Sequence, residues 1–358
     1  MKDFFKYFDK FAFIILMLLS ITGIVLIYSA SHSLEQSHYL KQLLWLFVSL
    51  IAFFVVFRVK TETFLNFSFA IYVVLVCILV VQIVAGKFIS GTRSWIKMGF
   101  FYAQVSEFIK IPLALYLAKT LARTTIIDWR GFFRLFTLSG IPFLLIALQP
   151  DLGTAFMLTS FLIVVFLLKK IKRVIIVFTV VVVAAVSFGT WTYVLKPYQK
   201  DRITAFLSPK KYEKSTGYQI IQSKIALGSG GLTGKGYLNG TQSQYKFLPT
   251  RHTDFIVPVL GEEFGFLGIA FLFLLFFILF YRQFNLKTDS DEEFYFTYLF
   301  NGLILFQFLI NILMTIGLFP VMGIPLPFVS YGGSSLLAFF IGEALIFRIK
   351  INAFLNDF

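Results

Sequence analysis

The chain has 358 residues, 58% of them hydrophobic and only 14% charged, with a mean hydropathy of +0.84. So little charge cannot cover a soluble globule of this size, which excludes a water-soluble enzyme and leaves an integral membrane protein of all-α class. The net charge of +14 stands beside no motif that would read nucleic acid, and a single cysteine, Cys77, excludes an internal disulfide.

Ten apolar runs follow one another, centred in 11–29, 42–58, 65–86, 107–122, 132–149, 154–168, 174–195, 255–281, 294–317 and 335–347. A helix needs roughly 18 to 25 such residues to cross about 30 Å of hydrocarbon. They predict a polytopic bundle of about ten transmembrane helices forming one membrane domain over 1–358. The first run has a basic start without a small-residue cleavage pattern, so it reads as a retained helix. Basic residues flank one set of alternating ends: Lys2, Lys6 and Lys10, then Arg58 and Lys60, Arg123 and Arg130, Lys169 to Arg173, Arg282 and Lys287, and Arg348 and Lys350. By the positive-inside rule both termini are then cytoplasmic.

The loops on the other side carry the polar motifs. Gly91 to Gly99 places Trp95 between Arg93 and Lys97, an interfacial aromatic beside two cations. The next helix opens on Ser106, a candidate N-cap, with Glu107 and Lys110 three apart and able to pair. Asp151 sits in the turn Gln149-Pro150-Asp151-Leu152-Gly153-Thr154, where a turn or cap role is expected. The longest polar segment, about 196–253, is a large loop whose cations, from Lys196 to Arg251, outnumber Asp201 and Glu213. It predicts an anionic partner, with lipid headgroups as the bland alternative. Gly228 to Gly236 offers backbone freedom for N–H groups to approach a ligand, but its spacing and side of the membrane reject a nucleotide loop.

Leu248-Pro249-Thr250-Arg251-His252-Thr253-Asp254 then gathers a guanidinium, an imidazole and a carboxylate where this loop re-enters the membrane, a costly arrangement that marks function. Thr253 or Asp254 as a simple cap of the eighth span is the competing reading. Glu262 and Glu263, deeper in that span, read as packing groups held by a lysine or by backbone. The prolines and glycines of 323–335 imply a re-entrant segment buried in protein or lining a cavity. Glu343 in the last span is a cavity-facing candidate or a partner for an internal cation.

In order along the chain, these segments resemble the SEDS (shape, elongation, division and sporulation) family over most of its length. The resemblance is carried by Lys41-Gln42-Leu43-Leu44-Trp45, Gly91 to Trp95, Gln104 to Lys110, Gln149 to Ala155, Tyr198 to Ile203, Gly217 to Gly236, Leu248 to Gly265 and Pro325 to Leu336. Arg251 before His252 and the run from Gly323 to Gly333 favour the elongation branch over the division branch. Two departures stand out: Ser94 separates Arg93 from Trp95, and Lys41 replaces an arginine.

The resemblance implies a glycosyltransferase of the bacterial cytoplasmic (inner) membrane that polymerises lipid II into nascent glycan on the outer face. It implies Asp254 as general base and Arg251, His252, Lys200, Arg202, Lys224, Glu107, Lys110, Arg93, Ser330 and Ser334 as substrate-binding residues. Arg251, Lys200, Arg202 and Lys224 are the pyrophosphate-clamp candidates, with Arg93 weaker. A class B penicillin-binding protein is the implied partner, alongside membrane lipids. A divalent cation, Mg or Mn, on the pyrophosphate is compatible, although no metal-ligand cluster stands in the sequence. The rival readings are a lipid II flippase, which expects repeat symmetry and polar groups through the full thickness, a division-type polymerase, and a scaffold for a partner synthase.

Overall fold

The computed structural model describes residues 7–31, 37–85, 87–89, 92–98, 101–194, 197–212 and 216–356. Lys2, Lys6, Lys196, Glu213 and Lys214 lie outside them, as do the side chains of Arg93 and Lys210. In chain order the main helices are α1 (Lys10–Ser31), α2 (His38–Arg58), α3 (Thr61–Ala85), α4 (Val105–Phe108), α5 (Lys110–Ala122), α6 (Trp129–Leu148), α7 (Leu152–Met157), α8 (Thr159–Leu168) and α9 (Arg173–Gly189). A π-turn, Thr190–Val194, continues α9. There follow α10 (Pro197–Leu207), α11 (Thr216–Ser229), α12 (Thr241–Gln244), α13 (Ile256–Phe284), α14 (Asp291–Thr315) and α15 (Gly333–Asn356).

Every predicted apolar run falls on one of these helices or a broken pair. By length and composition, however, six helices among the described residues are apolar and long enough to cross a membrane: α1, α2, α3, α6, α13 and α14. The fourth expected span is shortened to the 13 residues of α5. The sixth and seventh fall on shorter apolar helices, and α15 carries Glu343, Arg348 and Lys350. The core is built by α15 against α2, α14 against α5 and α13 against α1.

Two features depart from the expected loops. The segment between α3 and α4 is a three-stranded antiparallel sheet, β1 (Lys87–Ile89), β2 (Thr92–Met98) and β3 (Phe101–Gln104), in that order. Trp95 is half-buried and registers against Gln104 rather than standing in a free interfacial loop. The large loop is not open chain either, since α10, α11 and α12 fold within it.

The glycine-rich stretch has a different partner from the one expected. Helix α13 breaks at Gly265 (φ 65°, ψ −159°), leaving backbone groups unpaired in an apolar span. The stretch 230–236 answers them. Lys235 and Gly236 donate N–H to the carbonyls of Glu262 and Glu263 (2.9 and 3.0 Å), while Phe266 and Leu267 donate to those of Gly231 and Leu232 (2.9 and 3.1 Å). The Lys235 and Gly236 N–H groups thus serve the helix break. Glu262 clamps the same junction, accepting from Lys235 Nζ (2.7 Å), Thr241 Oγ1 (2.9 Å) and Gln242 N–H (3.0 Å). Glu263 accepts from the Ser29 hydroxyl. Both glutamates are therefore packing groups, as expected. Glu343 departs from expectation: it is fully buried and accepts from the neutral Gln283 amide rather than from a cation.

The segment 316–332 runs without helix between α14 and α15. Its Val321, Ile324, Leu326, Phe328, Val329 and Ser330 are buried, as a re-entrant piece at this depth requires.

Candidate active site

Asp254 ends the loop that leads into α13. It does not cap that helix: the N-cap is Phe255, without a side-chain cap bond, so the capping alternative falls. Instead, the three successive carbonyls around it are each taken by another element. Tyr331 N–H donates to the His252 carbonyl (2.9 Å), Ser330 Oγ to that of Thr253 (2.5 Å) and Asn311 Nδ2 to that of Asp254 (2.9 Å). The loop is thereby fixed through its main chain, and the carboxylate is left for other work.

That carboxylate is half-buried. Its Oδ2 lies 3.6 Å from where a side chain on Gly323 would begin. Burial pushes its pKa up to about 6, while the Arg202 charge and the Thr253 hydroxyl pull the other way. Such a carboxyl is ionised at neutral pH yet basic enough to take a proton. Lys200 and Arg202 share α10. Arg202 is the cation felt by Asp254, and Lys200 Nζ lies 5.9 Å from the Trp191 ring.

Two expected clamp residues, Arg251 and Lys224, also meet helix ends within the protein. Arg251 is buried, 6% exposed, and its Nε donates to the Ala30 carbonyl at the end of α1 (2.5 Å), tying the loop to that helix. Lys224 is exposed, and its Nζ lies 2.8 Å from where a side chain on Gly317 would begin, just past the end of α14. Ser223 Oγ beside it donates to the Thr315 carbonyl (2.5 Å), so Lys224 sits where a cation favours a helix C-terminus. The Ser330 hydroxyl donates to the Thr253 carbonyl and accepts from Leu326 N–H (2.8 Å). Ser334 Oγ accepts from Gln104 N–H (3.0 Å), joining the start of α15 to β3. Arg93 lies on β2, and its side chain is outside the described residues.

A second polar cluster lies at the start of α4 and α5. Lys110 Nζ donates to both Glu107 oxygens at 2.9 Å, with both residues buried, so the expected pair forms. Ser106 is not the cap, since α4 begins after Gln104. Asp151 does cap α7, accepting from Thr154 N–H (3.2 Å), and also accepts from Gln104 Nε2 (2.6 Å) and Ser94 Oγ (3.4 Å). Burial raises the Asp151 pKa, and Glu107 nearby raises it further. Gly153 packs on Met322 and Ile324 while Asp254 abuts Gly323, so the stretch 322–324 is the common neighbour of both clusters.

Asn311 is the residue that sequence reasoning missed. It lies buried in α14 and donates to the Asp254 carbonyl and to that of Ile324 (2.7 Å), while Gln307, one turn earlier, donates to that of Pro325 (2.9 Å). A polar pair at i, i+4 inside an apolar span is the signal that marks it. Asn311→Leu leaves two buried carbonyls unanswered, each costing roughly 1–3 kcal/mol. The expected result is a folded protein whose turnover falls about 10- to 100-fold through misplacement of Asp254, measured as kcat beside an unchanged elution profile.

A family model described as "Cell cycle protein", covering FtsW, RodA and SpoVE, matches residues 9–354. The chain belongs to this family. Among its relatives, the peptidoglycan glycosyltransferase MrdB of Escherichia coli K12 is 34% identical over 345 residues, covering 95% of this chain and 93% of that protein. The probable peptidoglycan glycosyltransferase FtsW of Coxiella burnetii is 35% identical over 357 residues, covering 94% and 95%. A solved chain from a structure of a peptidoglycan synthase complex that coordinates polymerisation and crosslinking superposes with a TM-score of 0.84 at 26% identity, covering 97% of this chain and 98% of that one. Family membership and the all-α, polytopic membrane class expected from the sequence are thereby established.

Proposed function

We propose that this chain is a peptidoglycan glycosyltransferase of the elongation type, with Asp254 as its general base. The observation that carries the reading is a half-buried carboxylate with pKa about 6, fixed through three main-chain bonds beside Arg202, in a family of named glycosyltransferases. The acceptor sugar's 4-hydroxyl attacks the anomeric carbon of a lipid II donor. The new C–O bond forms as the bond from that carbon to the pyrophosphate breaks, and the hydroxyl proton passes to Asp254. The departing polyprenyl pyrophosphate is an anion of low basicity, so it needs cations more than a proton. Lys200 and Arg202 supply them.

Glu107, Lys110 and Asp151 line the approach through the shared 322–324 stretch. Arg251, Ser330 and Asn311 hold the loop. Among the described residues no three His, Cys, Asp or Glu side chains gather to hold a metal, so a cation would ride on the pyrophosphate and no step is assigned to it.

The charge bias supports a single multi-pass domain of about ten spans in the inner membrane, with both termini cytoplasmic and Asp254 on the outer side. The crosslinking complex among the structural neighbours supports a class B penicillin-binding protein as partner. A division-type role keeps one observation in its favour, the FtsW relative at matching identity. Complementation of elongation-depleted against division-depleted cells separates the two.

The test is lipid II polymerisation by the purified full-length protein across pH. The base must be ionised, so kcat/KM is flat above about pH 6 and falls about tenfold per unit below it. Because Arg202 lowers the Asp254 pKa, Arg202→Gln moves the inflection upward. A profile without an acid limb between pH 5 and 7 (a window about one unit either side of that pKa) would remove Asp254 as the base.

A further inference from the structure

Three aromatic rings, one of them the expected substrate-binding His252, meet beside the Asp254 loop. The His38 and His252 imidazoles lie 4.5 Å apart, tilted by 40°. Tyr331 meets His38 edge-on at 5.0 Å and His252 at 5.7 Å. All three are half-buried, so each keeps part of its surface open. His38 opens α2, His252 stands two residues before Asp254, and Tyr331 ends the re-entrant segment.

The cluster is built from both sides. One face of α2 carries His38, Gln42 and Trp45, spaced four and three apart and so aligned along the helix. Gln42 donates to the Ser330 carbonyl (3.3 Å) and accepts from Gly332 N–H (3.2 Å), while Trp45 packs against Gly333. His38 is thereby held about 6 Å along the axis from Gln42. The Tyr331–His252 main-chain bond fixes the other two rings on the backbone that presents Asp254. Burial, with the charges of His38 and Arg251 adding to it, lowers the His252 pKa to about 4. At neutral pH His252 is then an uncharged ring.

A pyranose has an apolar face of C–H groups and a rim of hydroxyls, so it packs on aromatic rings with its hydroxyls left to polar neighbours. We propose that His38, His252 and Tyr331 form a stacking subsite for the acceptor pyranose, holding its attacking hydroxyl at Asp254. The proposal rests on the polymerase reading and adds His38, which lies in none of the motifs that carry the family resemblance. Rings that merely pack the end of α2 would instead affect stability and leave substrate affinity unchanged.

The test is initial rates of lipid II polymerisation by the full-length protein over a range of lipid II concentrations. Wild type is compared with Asp254→Ala, His38→Ala, His38→Gln and His38→Phe, with thermal stability recorded for each. Wild-type ladders and none from Asp254→Ala keep the polymerase reading. Within it, His38→Ala and His38→Gln are expected to raise KM about 3- to 10-fold with kcat little changed. His38→Phe, which restores a ring, is expected to bring KM back. His38→Gln guards against a misfolded alanine variant. An unchanged KM in the ring-less variants, with or without a loss of stability, overturns the subsite, as does a His38→Phe variant as impaired as His38→Ala. Absence of ladders from wild type overturns the polymerase reading and the subsite with it.

Discussion

Asp254→Ala and Asp254→Asn lower lipid II polymerisation by about 10²- to 10⁴-fold, the range a positioned general base contributes, while the protein stays folded and still binds lipid II. The fold survives because the loop is held by the carbonyls of His252, Thr253 and Asp254, not by the carboxylate. Stability shifts in a definite direction. The folded-state pKa of Asp254 is raised to about 6 from 3.8, so at pH 7 burial works against its ionised form. The neutral amide of Asn removes that cost, and a Tm equal to or above wild type is expected at pH 7. Asp254→Glu keeps the charge but moves it by a methylene, and displacement of about 1 Å costs on the order of 10²-fold. Wild-type rates from Asp254→Asn would sink the assignment and turn attention to Glu107, whose carboxylate Lys110 already holds at 2.9 Å from both oxygens.

The helices were legible because hydrocarbon thickness sets a length that apolar runs must meet. The expected 255–281 and 294–317 correspond to α13, Ile256–Phe284, and α14, Asp291–Thr315. The sheet over 87–104 was not legible, since its strands depend on pairing across turns, and Arg93, Trp95 and Lys97 read equally well as an interfacial loop. Asp254 stood out as a carboxylate at the mouth of a span. The protein contacts of Arg251 and Lys224 were hidden, because a cation in a polar loop carries no mark of which helix end it lies against. Only the docking of the loop on Ala30 and beside Gly317 shows those contacts. Asn311 was concealed within an apolar helix whose partner segment lies beyond the next turn.

Gly234→Val and Gly265→Ala are expected to abolish accumulation of folded protein, measured as loss of the monodisperse membrane-extracted species. A side chain on Gly234 would begin 2.2 Å from the Glu263 carbonyl oxygen, and one on Gly265 2.4 Å from the Gly234 backbone nitrogen. Gly265 also holds φ 65° and ψ −159°, a region open essentially to glycine alone. Either change drives apart the loop and the broken helix, and with them four backbone hydrogen bonds between 231–236 and 262–267. In an apolar span those freed groups find no water, so each loss approaches the several kcal/mol of an unsatisfied group rather than the ~1 kcal/mol typical of a solvated one. Gly231→Ala is the control. It shares a positive φ of 56°, but its added carbon would meet nothing within 4 Å, so only the roughly 1–2 kcal/mol of a left-handed residue is lost. Folded protein from Gly234→Val or Gly265→Ala, at the yield of Gly231→Ala, would show that the break in α13 tolerates separation from the loop. The glycine-rich stretch would then need another reason for its composition.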